Sequence, residues 1–224
     1  MKRVLKYWLL RLPVLMFFII PGLVTAQISS NPDVQEWPSG KVMLINGDSL
    51  IGAITYHRSQ DVIEVKHNEG YTSTLSPVNV DYFIVNEVPS GRPHLYRSYN
   101  WNLGKEGSDF KKPTFFEQLN QGAITLIMRE SNIQKGSSRS AIRRFASLDT
   151  YYEPSASDPE MKPRFSYFAL LPNGDIMTLK NVRKQLHALF GKKSDLVKAF
   201  VKNNDLSYED PYELTTIVNY YNSL

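Results

Sequence analysis

An α+β fold is what this sequence predicts: an antiparallel β-meander, closed as a small barrel or a sandwich, followed by three short C-terminal helices. Three observations carry the prediction. Short apolar runs alternate with turn-forming residues from Lys41 to Leu179, a spacing that argues for consecutive antiparallel strands. Both parities of the run Val42 to Ile45 are apolar, so that strand has both faces covered. From Val182 onward the apolar period changes to three and four residues, the signature of amphipathic helices.

Residues 27–39 read as a polar, extended leader with Pro32 and Pro38, and a β-rich domain spans 40–179. Its first element is a hairpin: Lys41 to Ile45 runs into Asn46-Gly47 and leaves through Leu50 to Tyr56. Both Asn and Gly tolerate positive φ, so this pair between apolar runs is a strong hairpin signal. Val62 to His67 follows the turn Arg58-Ser59-Gln60, and Asn68-Glu69-Gly70 turns the chain into Tyr71 to Leu75. Val80 to Val85 and Leu95 to Tyr99 are further strands. Phe115 to Leu119 and Ala123 to Arg129 flank Asn120-Gln121-Gly122, and Phe165 to Leu171 pairs with Asp175 to Leu179 around Pro172-Asn173-Gly174. Two long loops are expected near 100–113 and 134–164, where Gly, Ser, Pro and charged residues collect.

The helical segment spans 180–224. Val182, Leu186, Leu189 and Phe190 make one stripe, stopped by Gly191. Ser194 is the expected cap of the second helix, which carries Leu196, Val197, Phe200 and Val201 on its apolar side and ends at Asn203-Asn204. The third start is the clearest, with Asp210 as N-cap, Pro211 at the first helical position and Glu213 in a capping-box-like place. Leu214, Ile217, Val218 and Tyr221 form its apolar side.

Residues 1–26 read as a secretory signal peptide. Lys2, Arg3, Lys6 and Arg11 precede an apolar run from Leu12 to Val24, and Val24-Thr25-Ala26 ends it with small residues. That run of 13 residues is broken by Pro13 and Pro21, whereas a spanning helix needs roughly 20 apolar residues. The reading therefore places the protein outside the cytoplasm, periplasmic, outer-membrane-associated or extracellular, with no integral membrane span once the signal is cleaved. The chain has 26 Lys and Arg against 22 Asp and Glu, a formal charge of +4. All of that excess lies in the signal, so the mature chain is formally neutral and gives no reason to expect a nucleic-acid partner. With no cysteine, disulfides, thiolate metal sites, cysteine nucleophiles and a lipoprotein thioether are excluded.

The stretch Val42 to Tyr56, with its Asn46-Gly47-Asp48 turn and Gly52, resembles a β-rich region of exported envelope proteins of Bacteroidota type. Val80 to Val85, Phe115 to Leu126 and the closing Tyr220-Tyr221-Asn222 are similar to later parts of that region. In some of those proteins the region precedes an outer-membrane barrel of the Por-T type, which this chain, ending at Leu224, is expected to lack. The resemblance implies an envelope location; the partner expected there is an envelope or outer-membrane protein. It implies no catalytic residues.

Candidate chemistry is sparse. Of the four histidines, His57 and His67 lie on adjacent predicted strands, but hairpin register puts them at opposite ends of the ladder, where they cannot share a metal. There is no Gly-x-Ser-x-Gly and no phosphate-cradling glycine loop. Glu64, Glu117 and Glu130 lie on or near strands, with nothing in the sequence pairing any two of them. The sequence thus predicts no enzyme, metal or cofactor. Two surfaces remain for a ligand or an interface. Tyr96, Tyr99, Trp101 and Phe110 gather aromatics beside a predicted loop, either as a face that stacks on sugars or partners or as cover for one end of the β-core. Lys135, Arg139, Arg143 and Arg144 form a basic, serine-spaced segment suited to acidic components or simply to solvent. The function expected is a non-enzymatic envelope protein that docks to another, the alternative being a carbohydrate- or glycoconjugate-binding β module.

Overall fold

The computed structural model describes residues 33–105, 108–133 and 162–224. The predicted signal segment and the basic residues Lys135, Arg139, Arg143 and Arg144 lie outside them. Ten strands build one antiparallel sheet: β1 (Val34–Leu44), β2 (Ser49–His57), β3 (Val62–Lys66), β4 (Thr72–Leu75), β5 (Val80–Asn86), β6 (Pro93–Trp101), β7 (Lys112–Gln118), β8 (Thr125–Ile133), β9 (Lys162–Leu170) and β10 (Ile176–Thr178). Three helices follow, α1 (Val182–Phe190), α2 (Ser194–Asn203) and α3 (Pro211–Ser223), with a 3-10 turn at Gly191–Lys193 between the first two. The α+β meander with C-terminal helices is therefore the fold. None of the described helices is long and apolar enough to cross a membrane.

The strand order is β10-β9-β8-β7-β6-β5-β1-β2-β3-β4. It departs from a plain meander at one place, where β5 returns past β2, β3 and β4 to pair with β1. Thus β1 is central and is paired on both sides, but its two faces differ: Val42 is buried in one, while Met43 is half-buried and Ile45 67% exposed, so the expected cover on both faces is found on one only. It also starts at Val34, inside the segment predicted as a leader, and carries Trp37 into the core. Pro38 is accommodated where the β1–β2 register shifts between Trp37 and Gly40. Similarly, β9 begins at Lys162, so the last residues of the predicted 134–164 loop are strand.

Two hairpins use the same turn chemistry. In Asn46-Gly47-Asp48 the Asp48 amide donates to Asn46 Oδ1 (3.0 Å), and Gly47 takes φ +92°. In Asn173-Gly174-Asp175 the Asp175 amide donates to Asn173 Oδ1 (3.1 Å), with Gly174 at φ +82°. Each side chain mimics a backbone turn, and each glycine takes a conformation closed to most residues.

Pairing register sorts the side chains into two faces. Val42, Phe83, Tyr96, Glu117, Met128 and Tyr167 form one row across six strands. This face is concave: the ring of Tyr56 on β2 meets that of Phe115 on β7 at 5.9 Å, four strands away in the sheet. Inside the curl lie Trp37, Ile54, Ile63, Phe83 and Phe115. Gly40 and Gly52, paired across β1 and β2, permit that packing; a Cβ on Gly52 would lie 2.2 Å from the Lys66 carbonyl oxygen. The helices cover the other end of the same face, joining Leu186, Phe190, Val197, Leu214, Ile217 and Val218 to Leu126 and Ala169. A third, small cluster of Phe116, Ile127 and Phe168 occupies the opposite, convex face.

Helix starts follow their caps. Asp210 accepts from the Tyr212 and Glu213 amides (2.9 and 3.0 Å), as its N-cap reading predicts. Glu213 bonds the Ser207 amide (2.6 Å) instead of closing a capping box. Ser194 does not cap α2; it is the first helical residue, because the preceding 3-10 turn runs straight into the helix. Asn181, which the sequence reading passed over, caps α1 by accepting from the Lys184 amide (3.0 Å).

Candidate functional site

The densest polar cluster lies where the sheet nearly parts. β7 and β8 pair only at Glu117–Met128 and Gln118–Ile127, while β8 pairs with β9 along its whole length. Into the opening comes the β2–β3 turn. Asp61, in the left-handed region at φ +56° and only 6% exposed, accepts from the Tyr56 hydroxyl (2.9 Å) and the Phe115 amide (3.4 Å). Arg129 reaches the same carboxylate (3.4 Å) and donates to the Phe115 carbonyl (3.0 Å). Two side chains thus satisfy the backbone groups that a continued β7–β8 ladder would have used.

Beside this latch, Arg58 donates to Glu130 (2.7 Å) and to Gln35. Burial holds the Tyr56 phenol well above its ordinary pKa, and the neighbouring Asp61 carboxylate adds to the effect. The space enclosed by Tyr56, Arg58, Tyr96, Phe115, Glu117 and Glu130 is about 20 Å³, roughly the volume of one water site. Its charges are compensated by one another, so the cluster closes the curl. A third ion pair joins β6 to β7, His94 Nδ1 to Glu117 Oε1 at 2.6 Å. The hydrogen bond to Glu117 raises the His94 pKa against the opposing effect of burial.

A third polar group lies on the helices. The His187 ring contacts Ser194 Oγ (2.9 Å) through Nδ1 and the Tyr208 hydroxyl (2.6 Å) through Nε2. Burial lowers the His187 pKa, and Lys198 and Arg183 act in the same direction. Its partners tie α1 to α2 and to the segment before α3, which is a structural task. Among the described residues, no group of three His, Asp or Glu side chains is placed to hold a metal ion.

The predicted aromatic surface is divided by the strand that carries it. Tyr96 points to the concave face and is buried, stacked on Phe83 at 4.6 Å, so it cannot form part of a ligand surface. Tyr99 and Trp101 lie on the convex face, where Trp101 packs edge-on against Phe116 (5.4 Å) and Phe168 (5.3 Å). Phe110 stands alone in solvent, 67% exposed. Odd and even positions of one strand face opposite ways, a signal already present in the numbering. His57 pairs with Val62 beside the turn, and His67 lies beyond the other end of that ladder, its ring 3.0 Å from Ser73 Oγ.

Among the described residues, part of the convex face is left open. Ile51, Lys41, Ile84 and Leu95 form one cross-strand row over β2, β1, β5 and β6. Ile51 is 64% exposed and Ile84 36%, and Met43 and Tyr82 lie half-buried in the adjoining row. Arg97 covers the Tyr82 ring at 5.2 Å and reaches Asp81 at 3.8 Å. Apolar, aromatic, methionine and arginine side chains on one surface are the composition of protein interfaces. Compared with known protein families, with curated proteins and with solved structures, the chain matches none.

Proposed function

We propose that this chain is an exported, non-enzymatic protein of the cell envelope that docks onto another envelope protein through the convex face of its sheet. One observation carries the reading: Ile51 and Ile84 flank Lys41 in a single row that faces solvent, whereas the concave face is covered by the curl and the helices. An apolar row bearing one cation suits a partner that offers apolar side chains and an acidic group. The test places a photo-crosslinking side chain at Ile84 and, as control, at Phe110, in cells that export the protein. A single stoichiometric membrane-protein adduct at Ile84, absent at Phe110 and lost with Ile51→Asp, supports the reading. Equal adducts at both positions, or retention on envelope polysaccharide alone, overturns it.

A further inference from the structure

The two edges of the sheet are treated differently. At one end β10 has three residues, and the loop after β6 lies against it, with Lys111 bound to Asp175 (3.0 Å). A Cβ on Gly104 of that loop would be 3.8 Å from Thr178 Oγ1. At the other end, among the described residues, β4 pairs only with β3. Its residues Thr72, Ser73, Thr74 and Leu75 include no charge and no proline, the usual means of keeping an edge from pairing. The edge is also held in place: the His67 ring stacks on Tyr71 at 4.0 Å and bonds Ser73.

The outward backbone groups can be assigned. The His67 amide donates to the Tyr71 carbonyl (2.9 Å). Antiparallel bonding alternates, so Tyr71, Ser73 and Leu75 bond inward to β3, while Thr72 and Thr74 point their N–H and C=O groups away from the sheet.

We infer that β4 pairs antiparallel with β4 of a second copy of this chain about a two-fold axis at Ser73. The edge is self-complementary. In this register Thr72 of each copy faces Thr74 of the other, giving about four backbone hydrogen bonds. Tyr71, 53% exposed, comes to lie beside Leu75 of the second copy, on the concave side. Because Lys66 pairs with Thr72 and Glu64 with Thr74, each charged row runs from Lys66 of one copy to Glu64 of the other, and no like charges meet. An isologous contact of this kind closes on itself and does not propagate. It also leaves the convex row of Ile51 and Ile84 free, so it stands apart from the docking reading.

The chain has no cysteine, which makes a direct test simple. At a non-hydrogen-bonded antiparallel pair the Cα atoms lie about 4.5 Å apart, within the range a disulfide spans. Full-length exported Ser73→Cys is expected to form a disulfide dimer under mild oxidation roughly tenfold faster than Ile51→Cys or Phe110→Cys. Thr74→Pro, which removes an outward N–H and keeps the bonds to β3, is expected to shift the unmodified chain towards monomer in analytical ultracentrifugation. Equal crosslinking at the three positions, or sedimentation of the unmodified chain as monomer at every concentration, overturns the inference. So does an unchanged dimer in Thr74→Pro.

Discussion

The Asp61 carboxylate lies 3.4 Å from the Arg129 guanidinium, joining the β2–β3 turn to a strand 68 residues further along the chain. Breaking a buried pair costs more than the pair contributes, because the abandoned charge stays desolvated. Asp61→Ala leaves Arg129 and the Tyr56 hydroxyl without this carboxylate and puts alanine in the left-handed region. We expect a loss of about 3–5 kcal/mol, read from urea unfolding midpoints. Asp61→Asn keeps an acceptor and tolerates positive φ, so it should lose about half as much. Equal losses would mean that shape rather than hydrogen bonding closes the curl.

Trp101→Ala removes a ring packed on Phe116 and Phe168. A half-buried aromatic in such contact should cost about 2–4 kcal/mol. Phe110→Ala, at an exposed position, should change stability by less than about 0.5 kcal/mol. Thermal unfolding of the two variants side by side distinguishes a structural tryptophan from a ligand-stacking one.

Gly52→Ala forces a Cβ against the Lys66 carbonyl oxygen. Backbone cannot yield as a side chain can, so β2 and β3 must separate locally at a cost of about 2–4 kcal/mol. The loss should appear in urea unfolding together with faster amide exchange along β3, next to the proposed dimer edge.

His94 and His187 oppose each other in their dependence on pH. Glu117 raises the His94 pKa, so its contribution is complete below the unfolded value near about 6.5 and fades as pH rises through the folded one. Burial lowers the His187 pKa, so its contribution is complete above about 6.5 and fades as pH falls through the folded value. Glu117→Gln should therefore flatten the fall in stability as pH rises above about 6.5. NMR titration of the His94 ring should move towards the ordinary histidine range in the same variant.

Local chemistry was legible and long-range pairing was not. Asn46-Gly47, Asn173-Gly174 and Asp210-Pro211 announce turns and a helix start because their reasons lie within four residues. The central place of β1 depends on β5, some forty residues later, and no local pattern encodes it. Ser194 reads as a cap in isolation, yet its hydroxyl is engaged by His187. The division of Tyr96 from Tyr99 and Trp101 could have been read from strand parity alone. The Asp61 latch could not, since its distant partners Phe115 and Arg129 meet it only after the sheet has curled.

The two register pairs between β7 and β8 also make this the seam with the fewest backbone pairs in the sheet. On one side stand β1 to β7 with the Trp37–Phe83–Phe115 core; on the other, β8 to β10 and the helices with theirs. The Phe116–Ile127–Phe168 cluster and the Asp61–Arg129 and Arg58–Glu130 pairs bridge that seam, so opening it breaks side-chain contacts more than backbone bonds. The Phe115 amide, held by Asp61 instead of a neighbouring strand, is the natural reporter of that opening. Its hydrogen exchange would measure how often that seam opens, separately from the ladders on either side of it.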